Sequence, residues 1–546
     1  MLTRREFLRN VCAIGGALAG ASLLAACGQQ APAPAPTAPL AQPTGAPAAQ
    51  PTAAAAPTAA PAQAAPAAAK PGGTLTVAIT EDPVTLDPPG PGNPQNRMIR
   101  GAIHEALIDI DEQGKPIPWL AEAWEQTDPT TYVFHLRKGI KFHDGTEFNA
   151  DVVKFNLERM MNPDVKNLWR SEIAALDKVE VVDASTVRVK AKGPFAGFII
   201  PFYDMNGMQA SPTAVQKWGD EYGFHPVGTG PFKFVEYTKD NRTVIEKNPD
   251  YWDKGKPQLD QVIFRPIPDN STRLTELRSG GAQIIEYLPF QDVERLKGGS
   301  DVVVSEKTGF RVDWLTLNVE KEPATSKEFR QAWTYLIDRD AIQAAVYRNT
   351  GSPAWDLQLP GSRYFDPNYK PATRDVAKAK QLLDASGVKL PFEFTIYTDQ
   401  DPVRKQEVQV LQANAAEVGI NIQTEALDRA AWLARHQSGD FLAVLSWWGY
   451  RPDPDQYLSV LLSTKGSWNW SRYSSPRMDA LLEAERVELD DAKRTKIFRD
   501  IADLTTDDMP VVPYHYGSNI KGLSPKVQGF VHRVDGLIRF TDIRLG

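Results

Sequence analysis

Cysteine is nearly absent: the 546-residue chain has two, Cys12 and Cys27, so a disulfide framework is excluded and the fold must be held by its core. Histidine is sparse, with seven in all. Neither His135 nor His143 has the spacing or partners of a zinc site, and turn or core roles suit both better; no metal site is expected. The sequence has no GxSxG elbow, no HExxH, no Walker loop and no CxxC, which argues against the common hydrolytic, phosphoryl-transfer and redox enzymes. No catalytic residue or cofactor is therefore assigned. Basic excess is missing too. A formal charge of -7 argues against a nucleic-acid partner. Beyond the N-terminus no run of about 18 apolar residues occurs, so no later segment is expected to span a bilayer.

What is present begins with an address. MLTRREFLRN pairs Arg4 and Arg5 ahead of Phe7 and Leu8, and a short run of small and apolar residues follows from Val11 to Ala26, interrupted by Gly15, Gly16 and Gly20. That pattern predicts an export signal, and the paired arginines resemble the twin-arginine type. Leu24, Ala25, Ala26 and Cys27 resemble a bacterial lipobox, which makes Cys27 the lipidated first residue of the mature chain. Two acyl chains on that cysteine would supply stable membrane anchoring. Removal of residues 1–26 takes Arg4, Arg5, Arg9 and Glu6 with it, leaving a charge of about -9 on the exported protein. Residues 27–71 are dominated by Ala and Pro, a composition with too little apolar bulk to pack. They read as a tether with a reach on the order of 100 Å, at about 3.1 Å per residue.

The remaining residues, about 475, exceed what one core sustains, so two lobes are expected. Gly73–Ile79 alternates as a first strand and ends in a proline-rich loop where Gly92, Asn93 and Pro94 expose backbone. A helix is expected from Ile99 to Ile108. Tyr132, Phe134 and Leu136 alternate as a strand, and Asn149 caps a helix with Val152, Val153, Phe155 and Leu157 on its apolar face. Gly228-Thr-Gly-Pro-Phe232 leads into another strand. As a phosphate cradle it is weak, because Pro231 removes a donor and no helix follows. LTELRSGG (274–281) reads as a helix with a glycine stop, and Asp313 to Val319 as a strand crossing between lobes. FRQAWTYLIDRDAIQAAVY gives paired helices, Asp375–Ser386 a helix closed by Gly387. PFEFTIY and INIQTE are strands flanking a helix that begins near Val403, an α/β arrangement. Two amphipathic helices, Ser475–Val487 and Asp490–Asp507, precede a strand from Val511 that returns the chain to the first lobe.

YVFHLRKG, then KFHDGT, then the Asn149-capped helix, followed by GTGPF and NPDYWDKGKPQLDQVIFRPIPD, closely resemble in order the family-5 extracellular solute-binding proteins, the peptide-binding group that serves ABC importers. Similar segments run from about Gly72 to near the C-terminus. The resemblance implies an α/β protein with a two-lobed periplasmic-binding-protein type II fold and an extra sublobe inserted in the first lobe. The boundaries it implies are residues 72–305 and 512–546 for lobe I, with the sublobe at about 110–200, and 306–511 for lobe II. It further implies an exported, monomeric, non-enzymatic receptor on the outer face of the cytoplasmic membrane. That receptor closes around a peptide or other small solute and hands it to a membrane permease.

The stretch LSWWGYRPDPDQYL, Leu445 to Leu458, is where the ligand is expected. It delivers Trp447, Trp448, Tyr450 and Arg451 from a buried apolar run to the point where Gly449, Pro452 and Pro454 end the ladder. The alternative is that both tryptophans are core and that Asp453 and Asp455 cap the next helix. In oligopeptide binders resembling this chain, an aspartate here pairs with the peptide ammonium; the matching position is Tyr450, which carries no charge at neutral pH. Three readings stay open: Asp453 takes the ammonium, Arg451 clamps a carboxylate instead, or the ligand is neutral. Arg451 could equally be a surface arginine paired with Asp453 or Asp455. For a neutral ligand, an oligosaccharide, Trp355, Trp432, Trp447, Trp448, Trp468 and Trp470 offer faces for stacking. Relatives resembling this group also take nickel chelates, haem or glutathione. Gly92, Asn93 and Pro94 are expected to face this stretch from lobe I, with Trp355 as an additional candidate. The rival classes are an enzyme and a surface sensor without a transporter.

Overall fold

The computed structural model describes residues 72–90, 94–112 and 114–546. The signal, Cys27, the tether, Gly92 and Asn93 lie outside the described residues. β1 (Thr74–Ile79) is followed by a helix at Pro94–Ile103 and, after a short hairpin, by β2 (Ala121–Asp128) and β3 (Thr131–Leu136). The helix Ala150–Met161 leads to β4 (Leu176–Asp183) and β5 (Thr186–Ala191). β6 (Phe232–Thr238), β7 (Arg242–Lys247), β8 (Gln261–Pro266), β9 (Ile284–Ile285) and the long β10 (Val303–Leu317) complete the first half. The second half alternates helices with β11 (Phe392–Asp399), β12 (Ile420–Leu427) and β13 (Ala443–Gly449), and β14 (Val511–Leu523) runs back.

One mixed sheet collects most of these strands in the order β12-β11-β13-β10-β14-β9-β1-β8-β7-β6, with Ser352–Pro353 pairing on β14. β2, β3, β5 and β4 form a separate antiparallel sheet. Its inward side chains Phe134, Val187 and Val189 are buried with Val153 and Leu157 of the Asn149-capped helix, each apolar side chain contributing about 1.5–3 kcal/mol of burial. At one end of the mixed sheet Leu75, Val77, Phe232, Val262, Phe264 and Ile284 form one core. At the other, Leu315, Trp333, Ile396, Leu411, Ile420 and Leu445 form another. β14 contributes to both cores, through Leu523 to the first and through Val512 and Tyr514 to the second, and β10 pairs along it.

These two strands are antiparallel over most of their length. Val303–Thr308 lies opposite Ser518–Leu523, and Arg311–Thr316 opposite Val511–Gly517, with the register interrupted between Thr308 and Arg311. Gly309 sits in that bulge with φ +99°, and a Cβ there would lie 1.9 Å from the Pro360 carbonyl oxygen. The bulge therefore requires glycine.

Two expected boundaries change. The helix expected at Ile99 to Ile108 spans Pro94–Ile103, with proline at its first position. It stops because Gly230 N–H donates to the Ile103 carbonyl at 2.8 Å, where a Cβ on Gly228 or Gly230 would clash with the helix end. The strand expected from Asp313 begins ten residues earlier, at Val303. His143 accepts the Gly228 N–H at Nδ1 (3.4 Å) and contacts the Gly230 carbonyl through Nε2 (3.0 Å), fastening the KFHDGT turn to GTGPF. Burial pushes its imidazole down to about 4. Among the described residues no helix is long and apolar enough to cross a membrane, and no group of three or more His, Cys, Asp or Glu side chains is placed to hold a metal ion.

Candidate ligand-binding cleft

β13 starts as core and ends as cavity wall. Ala443 to Ser446 are buried, whereas Trp447, Trp448 and Gly449 are half-buried. Topology supplies the reason: β11 pairs with β13 only at Ala443 and Val444, while β10 follows it to Gly449. Past Leu445 one edge of the strand is uncovered, and its side chains emerge into a cavity of about 1200 Å³. That exceeds the ~300–1,000 Å³ of ordinary small-molecule sites.

Successive residues of a strand point to opposite faces, so the two tryptophans do different work. Trp448 meets Trp468 edge-on, with ring centroids 5.3 Å apart at 87°. Trp468 continues to Trp470 at 4.8 Å, and Trp470 to Trp432 at 5.3 Å. Such pairs add about 0.5–1.5 kcal/mol each beyond burial, so this wall is stiff. Trp447 lies on the face shared with Arg311, whose guanidinium sits 5.6 Å from its ring centre.

The opposite wall is built from the N-terminal half of the chain: Thr80, Arg97, Trp169, Glu172, Asn270 and Tyr287 reach the same cavity. Arg97 is held by Asp204. Arg451 extends from the end of β13 across the opening, and its Nε donates to Glu172 at 3.1 Å while its guanidinium lies 5.8 Å from the Trp169 ring. The alternative to a ligand role for Arg451 paired it with Asp453 or Asp455; its carboxylate partner is Glu172, 279 residues away in sequence. Burial raises the Glu172 carboxyl and the Arg451 charge opposes that shift.

Of the residues expected in the site, Trp447, Trp448, Tyr450 and Arg451 line the cavity. Tyr450 does so from beneath: it is 3% exposed, its N–H donates to the Phe310 carbonyl at 2.7 Å and its hydroxyl to the Gly361 carbonyl at 3.3 Å. Asp453 is placed elsewhere. The Pro452 and Pro454 turn carries it inward, where Arg494 donates to both its oxygens at 2.6 and 2.9 Å. Arg494 also donates to Glu485. Trp355 is outside the cavity wall as well, lying 4.1 Å beneath the Arg339 guanidinium. Pro94 opens the helix that carries Arg97. Trp169, Glu172, Tyr287, Arg311 and His515 were not anticipated. For Arg311 and His515 a signal exists: Arg311 and Asp313 alternate with Phe310, Val312 and Trp314, and His515 falls in the apolar run VVPYHY.

Two α/β halves joined by a pair of crossing strands, with a wide aromatic cavity between them, define a two-lobed solute-binding protein of the type II periplasmic fold. More particularly, the chain belongs to the bacterial extracellular solute-binding proteins, family 5, whose middle region matches residues 115–469. These are the periplasmic binding proteins of ABC importers, not enzymes. The glutathione-binding protein GsiB of Pectobacterium atrosepticum is 31% identical, over 86% of this chain and 93% of its own. The Helicobacter pylori protein DppA, solved with the peptide STSA, is 27% identical with a TM-score of 0.75, covering 87% of this chain and 98% of its own. AgaA of A. tumefaciens R10, solved with agropinic acid, is 28% identical with a TM-score of 0.75, covering 87% of this chain and 99% of its own.

Proposed function

We propose that this protein captures a peptide-type solute between its lobes and delivers it to a membrane permease, performing no chemistry itself. The observation that carries the reading is the 1200 Å³ cavity bounded by Trp447, Trp448 and Trp468 on one side and by Trp169, Glu172 and Tyr287 on the other. Its size suits a solute of several residues, and its mixture of indole faces and few charges suits a chain that alternates apolar and polar groups. The similarity to a glutathione-binding and a peptide-bound protein supports the same class.

The lobes in this reading are residues 72–305 with 512–546, and 306–511; the sheet β2-β3-β5-β4 corresponds to the inserted sublobe at about 110–200. Export by the twin-arginine signal, lipid on Cys27 and the 27–71 tether would keep the monomeric receptor at the outer face of the cytoplasmic membrane, beside its permease. The Trp448-Trp468-Trp470 ladder favours one second reading, an oligosaccharide stacked on indole faces.

A thermal-shift screen of the purified protein against di- to pentapeptides, glutathione, oligosaccharides and nickel chelates tests this. A ligand at a hundred times its Kd stabilises the fold by about 2.7 kcal/mol. Shifts with peptides and none with sugars are expected; shifts with sugars alone would transfer the assignment to the second reading.

A further inference from the structure

Resting on that reading of the cleft, the geometry points to Arg311 as a clamp for a carboxylate of the captured solute, set in a glycine-walled notch on the crossing strands. Register alone builds the notch. Arg311 on β10 lies between Gly449 on β13 and Gly517 on β14, so its row of the sheet holds one side chain where three would fit. Nothing lies within 4 Å of where a Cβ on Gly449 would be, whereas one on Gly517 would lie 2.8 Å from the Arg311 Cγ. The first glycine leaves open space above the strand; the second makes room for the arginine's stem.

The next row is Trp447, Asp313 and His515. Arg311 Nε donates to Asp313 at 3.2 Å, which fixes the plane of the guanidinium against the Trp447 ring. Its two terminal nitrogens make no hydrogen bond among the described residues, and the side chain lines the cavity. Asp313 does not require them, because the fully buried Arg404 holds it from the other side at 2.8 Å. Arg404 also pairs with Glu407 at 2.7 Å. His515 is the independent observation. It is wholly buried, stacked 3.5 Å from the Tyr347 ring, and its Nδ1 is taken by the Gln343 amide at 2.6 Å. Its Nε2 is left without a partner, on a ring that also lines the cavity. In the tautomer whose Nδ1 accepts from the Gln343 amide, Nε2 carries the hydrogen. Two planar guanidinium donors and an imidazole N–H on the same face of the sheet form a set suited to a carboxylate.

In a peptide that carboxylate is either the C-terminus or an acidic side chain. The test is calorimetric titration of wild-type protein with tetra-alanine, its C-terminal amide, and a tetrapeptide amide carrying one glutamate. Binding of the free acid at least tenfold tighter than the amide assigns the notch to the C-terminus; tighter binding of the glutamate amide assigns it to a side chain. Arg311→Gln is expected to erase either preference by about 10- to 100-fold, and Arg311→Lys to restore only part of it. Gly449→Val, which fills the open notch without touching the Asp313 ion pair, should abolish the preference with an unchanged Tm, so a folding defect cannot imitate the result. Equal affinity for the acid and both amides, unchanged in Arg311→Gln, would overturn the clamp while leaving peptide capture intact. If no peptide binds wild-type protein, peptide capture fails and the clamp is read from glutarate against glutaramide by tryptophan fluorescence. Quenching by glutarate alone, lost in Gly449→Val, then supports it, and no difference between the two overturns it.

Discussion

Asp453 and Arg451 are two residues apart and have opposite fates, which shows how little a side chain's charge says about its role. Arg451 crosses the cavity to Glu172, whereas Asp453 is turned into the interior to neutralise Arg494, whose side chain is 3% exposed. Removing one member of a buried pair strands the other charge. Asp453→Ala should therefore destabilise the protein by about 3–5 kcal/mol in denaturant titration while leaving the affinity of the remaining folded protein for its ligand within about twofold, well under 1.4 kcal/mol. A large loss of affinity at full stability would return Asp453 to the ligand site. The aromatic character of the wall was legible in WWGY. The pairing was not, because Glu172 and Arg494 lie far from Asp453 and Arg451 in sequence and no local rule connects them.

Among the elements, β10 does most to organise the molecule. The alternation in DWLTLNV marks a strand, but its length and bulge escape a reading by period: in Val303 to Thr308 two valines are followed by four polar residues, and Val304 is half-buried against the core of Leu277, Val293 and Leu296. The Gly309 bulge falls between the two registers with β14, the place where a bend costs the fewest hydrogen bonds. Gly309→Ala meets both the positive φ and the Pro360 carbonyl. A loss of more than about 1 kcal/mol in stability is expected from the backbone conformation alone, together with a changed ligand dissociation rate in stopped-flow fluorescence. An alanine tolerated on both measures would show that the bulge relaxes freely. Caps were the best-read features at this scale. Asn149 and Gly387 act where they were expected, and Asp375, expected as the first residue of its helix, is that helix's N-cap; a cap depends only on neighbours in the chain.

For the molecule as a whole, the Arg451–Glu172 pair is a contact between the two sides of the cleft that needs no ligand. Partly shielded ion pairs contribute about 0–1 kcal/mol, so Glu172→Gln should shift the ligand-free protein toward more open shapes, raising the radius of gyration in small-angle scattering, and lower apparent affinity by no more than about fivefold, or 1 kcal/mol. Identical scattering profiles would mean that other contacts set the degree of closure. What the sequence determined by itself was what neighbouring residues decide: the caps, the periodic strands and helices, the Ala/Pro composition of residues 27–71, and an ordered series of motifs specific enough to indicate the family. Only the tertiary structure decided which charges meet across the cleft, that Asp453 pairs with the buried Arg494, and that Arg311 stands between two glycines contributed by different strands. Strand register and lobe apposition join residues hundreds of positions apart, and the free energy that selects those partners comes from burying whole faces, which no local pattern records.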